Sequence, residues 1–377
     1  MMNKKPLAVY IHIPFCEQKC RYCDFLSGQG SEQLKLSYFR ALMHEIGHTD
    51  GSHYIVTSVY IGGGTPSCVQ SMYIVKIMDA LRARFEFAPK AEISMEMNPG
   101  TVRKTSLADY KAAGINRLSI GLQSTHDDEL RRLGRIHDYR TFLNTYELVR
   151  SRGFDNVNID LMSSLPKQTM EKMEKSLERV IKLGPEHISV YSLIIEEGTP
   201  FYRLYEKGEL ELPDEDTEVK IDRMVRRTLL EHGYERYEIS NFARPGYECR
   251  HNLVYWSRGD YLGFGIGAAS LLGHTRFSNT RNIKKYIEAN GMSETNVQKL
   301  TVNDEMGEFM FLGLRKVAGV KEEDFENYFG KTMREVYGPI LEKQLGMGML
   351  TYKNGRWAFT EKGMDVSNTL MADYLLD

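Results

Sequence analysis

The sequence predicts an α/β fold, a partial (β/α)6 barrel followed by a C-terminal helical domain. Between residues 7 and 200, six short apolar runs alternate with segments of helical periodicity. Strict alternation of this kind indicates a parallel sheet with right-handed crossovers. The alternation stops after six units, which favours a partial barrel over a closed eight-stranded one.

The predicted strands span residues 7–11, 58–61, 91–97, 117–120, 156–161 and 187–193. The predicted helices span 31–48, 72–84, 105–113, 127–133, 139–152 and 170–183. Polar residues lie at or just beyond the carboxyl ends of four strands: Glu96, Gln123, Asp160 and Glu196. Because ligands bind at that edge of a parallel sheet, these residues are candidates for one shared site. The alternative for each is a satisfied buried group or a helix cap.

The region after the barrel changes character at about residue 301. A charged amphipathic helix at 214–232 precedes this point, and helical patterns at 304–317, 321–329 and 333–345 follow it. Asn354-Gly355 then separates two alternating apolar runs, a strong hairpin signal. Helices followed by a hairpin predict a winged-helix-like domain. Residues 301–377 hold 9 Lys and Arg against 13 Asp and Glu, which argues against nucleic-acid binding and favours a lid or partner surface.

The bulk composition is that of a cytoplasmic globular protein. The chain has 377 residues, a net charge of −2 and five cysteines, an odd number that argues against a secreted disulfide framework. The N-terminus lacks the apolar region of a signal peptide, and no run approaches the roughly 18 apolar residues of a membrane span. These features leave a peripheral membrane contact open.

Three cysteines follow the first strand with the spacing C-x3-C-x2-C: Cys16, Cys20 and Cys23. Three thiolates on one loop can hold three irons of a [4Fe-4S] cluster, which leaves the fourth iron an open position. Half of a zinc site or a redox pair is the alternative for the C-x2-C part. A zinc site would need a second pair, whereas Cys68 and Cys249 are isolated.

The second predicted strand runs into a glycine-rich stretch, Gly62-Gly63-Gly64-Thr65-Pro66. Glycines after a strand allow positive φ and a close approach of the backbone to a ligand. The stretch is not a phosphate-binding P-loop, since no Lys-Ser/Thr follows at the required spacing. A tight βα turn is the alternative.

Together, the cysteine and glycine motifs resemble the radical S-adenosylmethionine (SAM) superfamily, in which the amino and carboxylate groups of SAM occupy the open iron. Along the whole chain the sequence is similar to the group of oxygen-independent coproporphyrinogen III oxidases (HemN-like) and the related HemW haem chaperones. Further motifs carry this resemblance: Tyr-Ile-His-Ile-Pro-Phe-Cys, Met-Glu-Met-Asn-Pro-Gly-Thr, Leu-Ser-Ile-Gly-Leu-Gln-Ser, Leu-Gly-Arg-Ile-His and Asn-Ile-Asp-Leu-Met-Ser-Ser-Leu-Pro-Lys-Gln-Thr. The resemblance implies that Cys16, Cys20 and Cys23 hold the cluster. It implies that SAM is surrounded by Tyr10, Tyr22, Gly63, Gly64, Thr65, Glu96, Gln123, Arg135 and Asp160.

Two features separate the members of this group. The oxidases carry a fourth cysteine where this chain has Phe25, and they have an N-terminal extension for which Cys16 leaves no room. Downstream, His-Asn-x-x-Tyr-Trp resembles the haem-binding signature of the HemW chaperones. Its residues are His251, Asn252, Tyr255 and Trp256. An imidazole can ligate haem iron, aromatic faces suit a porphyrin, and Cys249 offers a second soft ligand. The alternative is a core turn with a buried Trp and a hydrogen-bonded His.

We therefore expect a radical SAM barrel core at 1–235, a linker segment with the haem motif at 236–300, and the winged-helix-like domain at 301–377. The expected function is that of a haem chaperone, which binds a [4Fe-4S] cluster, SAM and haem and delivers haem to membrane-associated haem proteins such as a respiratory cytochrome subunit. The alternative function is oxidative decarboxylation of coproporphyrinogen III.

Overall fold

The computed structural model describes residues 4–376. Six parallel strands in sequential order form the centre of a twelve-stranded sheet, as the alternating pattern predicts. Their bounds are β1 Lys5–Ile13, β2 Tyr54–Gly63, β3 Glu86–Met97, β4 Arg117–Gln123, β5 Val157–Ser163 and β6 His187–Ser192.

Helices lie between and after these strands, and several of them have clear capping signals. The bounds are α1 Glu32–His48, α2 Ser71–Arg84, α3 Lys104–Ala112, α4 Asp127–Leu133, α5 Tyr139–Ser151, α6 Met170–Leu183 and α7 Pro200–Glu206. Side chains of Ser31, Asp138 and Thr169 accept the first free backbone N–H groups of α1, α5 and α6. Gly134 and Gly184, both left-handed, end α4 and α6. The bounds of α1 to α6 lie within one or two residues of those predicted from the sequence.

The two faces of the central strands differ in polarity. On β1 the side chains of Leu7, Val9, Ile11 and Ile13 are buried in the main hydrophobic core with the helices. The opposite, inner face is polar on every central strand, and its side chains interact with one another: Tyr10, His12, Ser58, Tyr60, Glu92, Ser94, Glu96, Arg117, Ser119, Asn158, Asp160, His187 and Ser189. In a parallel sheet that is covered by apolar elements on both faces, the sequence of each strand would be a continuous apolar run. The alternation instead marks a barrel with a polar interior.

The segment 236–300, predicted to be a linker, is part of the sheet. After α8 (Glu215–Glu231) its elements are β7 Glu235–Arg236, β8 Asn241–Ala243, α9 Arg250–Trp256, β9 Tyr261–Phe264, β10 Ala269–Leu272, β11 Thr275–Asn279, α10 Ile283–Glu288 and β12 Glu294–Lys299. Strand β9 pairs in parallel with β1, and β8 pairs antiparallel with β6. The sequence did not predict these strands, because they are only two to six residues long and depend on distant partners rather than on a local pattern.

The C-terminal domain has the predicted order of helices followed by a hairpin. Its elements are α11 Val302–Gly313, β13 Val320–Lys321, α12 Glu322–Phe329, α13 Met333–Gly346, β14 Leu350–Lys353, β15 Arg356–Phe359, α14 Glu361–Asp365 and α15 Ser367–Ala372. The hairpin strands and β13 form a separate three-stranded sheet. Met310, Phe325, Tyr337 and Trp357 belong to a hydrophobic core distinct from that of the barrel.

Within residues 4–376, no helix combines the length and the apolar character that crossing a bilayer requires.

The hairpin turn gives a test of the C-terminal fold. Asn354 and Gly355 have φ of 51° and 73°, and a methyl group added to Gly355 would meet no atom within 4 Å. We expect Gly355→Ala to destabilise this domain by about 1 kcal/mol, because alanine disfavours the left-handed conformation. Gly346→Ala is the matched control, because Gly346 is the last residue of α13 and a methyl group there would meet no atom within 4 Å. Since alanine favours a helix more than glycine does, this substitution should stabilise the domain by up to about 1 kcal/mol. Urea unfolding of the full chain measures both, and equal destabilisation by the two would contradict the assigned turn.

Candidate functional site

The cysteine loop is closed at its base by backbone hydrogen bonds immediately after β1. The N–H of Cys16 donates to the carbonyl of Gly28 at 2.9 Å, and the N–H of Gly28 donates to that of Pro14 at 3.0 Å. The His12 ring shares a hydrogen bond with the Leu26 carbonyl at 2.9 Å. These contacts fix where the loop leaves and rejoins the sheet, at the carboxyl end of β1.

The thiols of this loop accept hydrogen bonds from two other parts of the barrel. Thr65 Oγ1 donates to Cys16 Sγ at 3.4 Å, and Arg135 Nη1 donates to Cys20 Sγ at 3.5 Å. Burial raises the pKa of the Cys23 thiol. Donors directed at sulfur stabilise the thiolate form, which is the form that binds iron.

The chemistry of the donor set, three thiols on one loop, is suited to a four-iron cluster. Among residues 4–376, no group of three or more His, Cys, Asp or Glu side chains is placed to hold one metal ion. A [4Fe-4S] cluster gives each thiolate its own iron, so its ligands do not converge on one point. Three thiols on one loop at a strand end are compatible with such a cluster.

A chain of hydrogen bonds through Thr65, Asn98 and Arg135 links the Cys16 and Cys20 thiols across the site. Beyond its bond to Cys16, Thr65 Oγ1 accepts from Asn98 Nδ2 at 2.8 Å. Asn98 Oδ1 in turn accepts from Arg135 Nη2 at 2.7 Å, and the same guanidinium reaches Cys20. A cleft opens beside this chain and is lined by Cys20, Thr65, Asn98 and Arg135. The chain of hydrogen bonds therefore positions one wall of a ligand site.

The glycine-rich stretch packs directly against the cysteine loop. The N–H groups of Gly64 and Thr65 donate to the carbonyls of Ile13 and Phe15 at 2.8 and 2.7 Å. A methyl group on Gly64 would lie 2.6 Å from the Phe15 carbonyl oxygen and 3.0 Å from Cys16 Sγ. Glycine is therefore required here by close approach, as the sequence predicts.

Glu96 is anchored between the glycine stretch and the inner face. Its carboxylate accepts from the Tyr60 hydroxyl at 2.9 Å and from the Gly63 N–H at 3.2 Å. Burial and then the negative charge of Asp160 raise the pKa of Glu96 to about 7. Glu96 thus titrates near neutral pH while it holds Gly63, the last residue of β2.

The remaining SAM candidates lie at the same end of the sheet or on its inner face. Gln123 ends β4 with φ of 72°, and a methyl group on Gly121 would meet both Gln123 Nε2 and Arg135 Nη2, at 3.0 and 3.1 Å. Asp160 pairs with Gly121 in the register of β4 and β5. It accepts from Ser119 Oγ at 3.0 Å, and burial raises its pKa.

The two tyrosine candidates lie in different parts of the site. Tyr10 is on the inner face, where its hydroxyl shares a hydrogen bond with the His12 ring at 3.0 Å. Tyr22 lies in the loop, hydrogen-bonds Cys20 and packs against the small apolar cluster that contains Leu133. The structure thus brings all nine SAM candidates to the carboxyl end or the inner face of the barrel.

The haem motif forms the short helix α9, called the motif helix below, and lies against the inner face near the amino ends of the strands. His251 is 1% exposed, and its Nδ1 shares a hydrogen bond with Ser58 Oγ at 3.0 Å. Its Nε2 shares one with the Tyr255 hydroxyl at 2.9 Å. Burial and then the charge of Arg117 lower the pKa of His251 to about 3, so the ring is neutral at physiological pH.

The other motif residues lie on the same short helix and make contacts of their own. The N–H of Asn252 bonds the Cys249 thiol, which is fully buried. The Trp256 ring lies under the guanidinium of Arg315, 4.4 Å from ring centroid to Cζ. In this arrangement both His251 nitrogens have protein partners, so an iron bond would require Tyr255 or Ser58 to release one of them.

The motif helix and the glycine stretch are connected through the inner face. The His251 ring stacks on Tyr60, with centroids 5.3 Å apart. Tyr60 in turn donates to Glu96, which holds Gly63. The predicted haem and SAM residues therefore lie at two ends of one interior, joined by two side chains.

Sequence reasoning missed the residues that build this interior. Glu92 accepts the N–H groups of Arg250 and His251 at 3.1 and 3.3 Å and so caps the motif helix. Arg117 is 2% exposed near Glu92 and Cys249, and Asn98 connects Thr65 to Arg135 in the hydrogen-bond chain between the thiols. The signal was available, because polar residues at every second position recur in all six central strands.

Comparison with known proteins places the chain among radical SAM proteins. The Radical SAM superfamily profile matches residues 10–180, and the HemN C-terminal domain profile matches residues 300–366. A heme chaperone HemW of Bacillus subtilis is 36% identical over 98% of this chain and 99% of its own. That of Escherichia coli is 35% identical over the full length of both. The coproporphyrinogen III oxidase HemN of Escherichia coli, a radical SAM enzyme, has a TM-score of 0.85 at 25% identity, over 99% of this chain and 90% of that one.

The close approach at Gly64 predicts how cluster loading responds to mutation. Gly64→Ala should displace the cysteine loop, cost roughly 1 to 3 kcal/mol in stability and lose most of the reconstituted iron and sulfide. Gly28→Ala is the matched control, since a methyl group there meets no atom within 4 Å and the loop is otherwise unchanged. Iron and sulfide analysis after anaerobic reconstitution measures the difference. Equal loading of both variants would contradict the packing described here.

The raised pKa of Glu96 predicts a pH-dependent stability. A carboxyl group whose folded-state pKa lies above its unfolded value stabilises the fold below the unfolded pKa, and this contribution is lost as pH rises through about 7. Between about pH 5 and about pH 8, the free energy of unfolding of the cofactor-free wild type should fall by roughly 1 to 3 kcal/mol more than that of Glu96→Gln. Glutamine keeps the shape, and the Tyr60 hydroxyl can accept from its amide. Urea unfolding across this range tests the difference, and parallel curves for the two proteins would refute it.

Proposed function

Because the chain belongs to the HemW family of the radical SAM superfamily, we propose that it is a haem chaperone that binds a [4Fe-4S] cluster, SAM and haem. The full-length similarity to the HemW chaperones is the observation that carries this proposal. The position of the motif helix, in contact with the same interior as the cysteine loop, supports it.

In this proposal Cys16, Cys20 and Cys23 hold the cluster, which when bound supplies a redox-active iron with an open position for SAM. Arg135 and Thr65 stabilise the ligand thiolates through their hydrogen bonds to sulfur. Their contacts also orient the loop, so that the cleft beside Cys20 faces the ends of the strands.

The other SAM candidates take roles suited to their chemistry. The backbone N–H groups at Gly63, Gly64 and Thr65 are committed to the protein, so the carbonyls of this stretch are the groups that can accept an amino group. Carboxylates such as Asp160 suit ribose hydroxyls. Glu96 holds Gly63 in place, and Tyr10, Tyr22, Gln123 and Arg135 complete the walls.

Haem would be held at the motif helix through His251. The imidazole is neutral near pH 7, so a lone pair becomes available once its Nε2 leaves the Tyr255 hydroxyl. Tyr255 lies one turn along the same helix, and its ring with that of Trp256 offers aromatic surface to a porphyrin. Asn252 is the remaining polar group of the motif.

The receiving partner in this proposal is a membrane-associated haem protein, reached from the cytoplasm. The C-terminal domain, with its acidic excess, offers a surface for a protein partner rather than for nucleic acid.

Coproporphyrinogen III oxidation is the second candidate function, favoured by the likeness to the oxidase structure. The position of the oxidases' fourth cysteine argues against it, because Phe25 stands there and is 60% exposed in the cysteine loop. We expect no protoporphyrinogen from an anaerobic assay with coproporphyrinogen III, SAM and a strong reductant. Turnover that depends on Cys16, Cys20 and Cys23 would establish the enzyme instead.

Paired substitutions in the motif helix test the haem proposal. We expect His251→Ala to abolish the Soret shift seen when haem is titrated into the reconstituted protein. Tyr255→Phe removes one competing hydrogen bond of about 1 kcal/mol, so haem affinity should rise by up to roughly fivefold. Tyr255→Phe keeps the ring and thus controls for packing. Haem binding that is unchanged in His251→Ala would exclude His251 as the ligand.

A further inference from the structure

The C-terminal domain holds the carboxyl end of the motif helix through consecutive residues. The Arg315 guanidinium lies over the Trp256 ring, and Lys316 Nζ donates to Ser257 Oγ at 2.9 Å. Both cations come from the segment directly after α11. These contacts join the last turn of the helix to a different domain.

Arg258, the next residue, makes the most buried of these connections. Its side chain is 3% exposed and lies 2.8 Å from the Glu305 carboxylate and 3.1 Å from that of Glu308. Both carboxylates project from α11 and are nearly as buried. Arg258 Nη1 also donates to the Tyr328 hydroxyl at 3.1 Å. Because a buried ion pair that loses one partner leaves an uncompensated charge, this contact strongly resists separation.

The amino end of the same helix is held by the sheet. Glu92 on β3 accepts the N–H groups of Arg250 and His251. The helix is therefore fixed at one end by the barrel and at the other by the C-terminal domain. Between these ends, Tyr255 occupies the Nε2 of His251.

We propose that Arg258 is a positioning residue. Through it, the docked C-terminal domain holds the motif helix in a closed conformation, in which the Tyr255 hydroxyl is hydrogen-bonded to His251 Nε2. This inference rests on the proposed haem binding at His251. A ligand binds more weakly to a protein whose binding-competent conformation is rarely populated. Loosening the contact between Arg258 and α11 should therefore strengthen haem binding. By thermodynamic reciprocity, haem binding should weaken the docking of the domain.

The test compares two arginines that both tie the C-terminal domain to the barrel. Arg258→Met removes the contact at the motif helix. Arg226→Met is the matched control, because Arg226 on α8 pairs with Asp365 at 2.5 Å, away from that helix. Cluster-reconstituted full-length proteins are titrated with haem and followed at the Soret band.

A second readout needs no haem. Cys249 precedes the motif helix and is fully buried, so its alkylation by iodoacetamide reports opening of the helix. The alkylation rate is measured for the Cys249 peptide by mass spectrometry in each haem-free protein.

We expect Arg258→Met to bind haem at least about fivefold more tightly than wild type and to alkylate Cys249 faster. Arg226→Met should match wild type in both, and Arg258→Lys, which keeps the charge, should restore much of the wild-type behaviour. If Arg258→Met does not fold, Glu308→Gln provides a milder break of the same contact.

Equal or weaker haem binding by a folded Arg258→Met, with unchanged Cys249 alkylation, overturns the inference while leaving haem binding by the wild type intact. The same response in Arg226→Met overturns it too, since the effect would then be general loosening. Faster alkylation in Arg258→Met alone, in a protein that binds no haem, supports the mechanical connection and overturns the proposed function.

Discussion

Burying carboxylates inside a parallel sheet is the constraint on which the rest of this structure depends. An ionised carboxylate taken out of water costs several kcal/mol unless hydrogen bonds or opposite charge offset the loss. Glu96 is satisfied by Tyr60 and Gly63, and Asp160 is satisfied by Ser119 together with Asn158. Each of these solutions fixes a strand end or a turn at the candidate site.

The buried carboxylate of Glu92 in the same way positions a segment from the second half of the chain. Its partners are two backbone N–H groups at the start of the motif helix, so satisfying this carboxylate brings the helix onto the inner face. Arg117, buried near both Glu92 and Cys249, balances the charge from the neighbouring strand. The histidine of the motif consequently stacks on Tyr60, whose hydroxyl donates to Glu96, the residue that accepts the Gly63 N–H. The need to satisfy these buried carboxylates therefore places the motif helix and the glycine stretch along the same inner face.

Local features of the fold were predictable, and features that depend on distant residues were not. The bounds of α6 follow from its Thr169 cap and terminal Gly184, and the Asn354-Gly355 turn follows from its dipeptide. The cysteine and glycine motifs also indicated which loops face each other. By contrast, β9 is four residues long and is defined by its pairing with β1, more than 240 residues earlier. Glu92 and Arg117 gave no motif, because their roles arise only when the strands align.

The pairing of β9 with β1 also sets the order in which this molecule can mature. Ala8 is the register partner of Tyr261, and Gly267, just beyond β9, approaches Leu26 of the cysteine loop so closely that a methyl group there would lie 2.7 Å from its side chain. A growing chain on the ribosome therefore lacks part of the wall around its cysteines until most of its length has been synthesised. The three cysteines are thus among the first residues made, whereas the surroundings of their loop are complete only after residue 267 has been added.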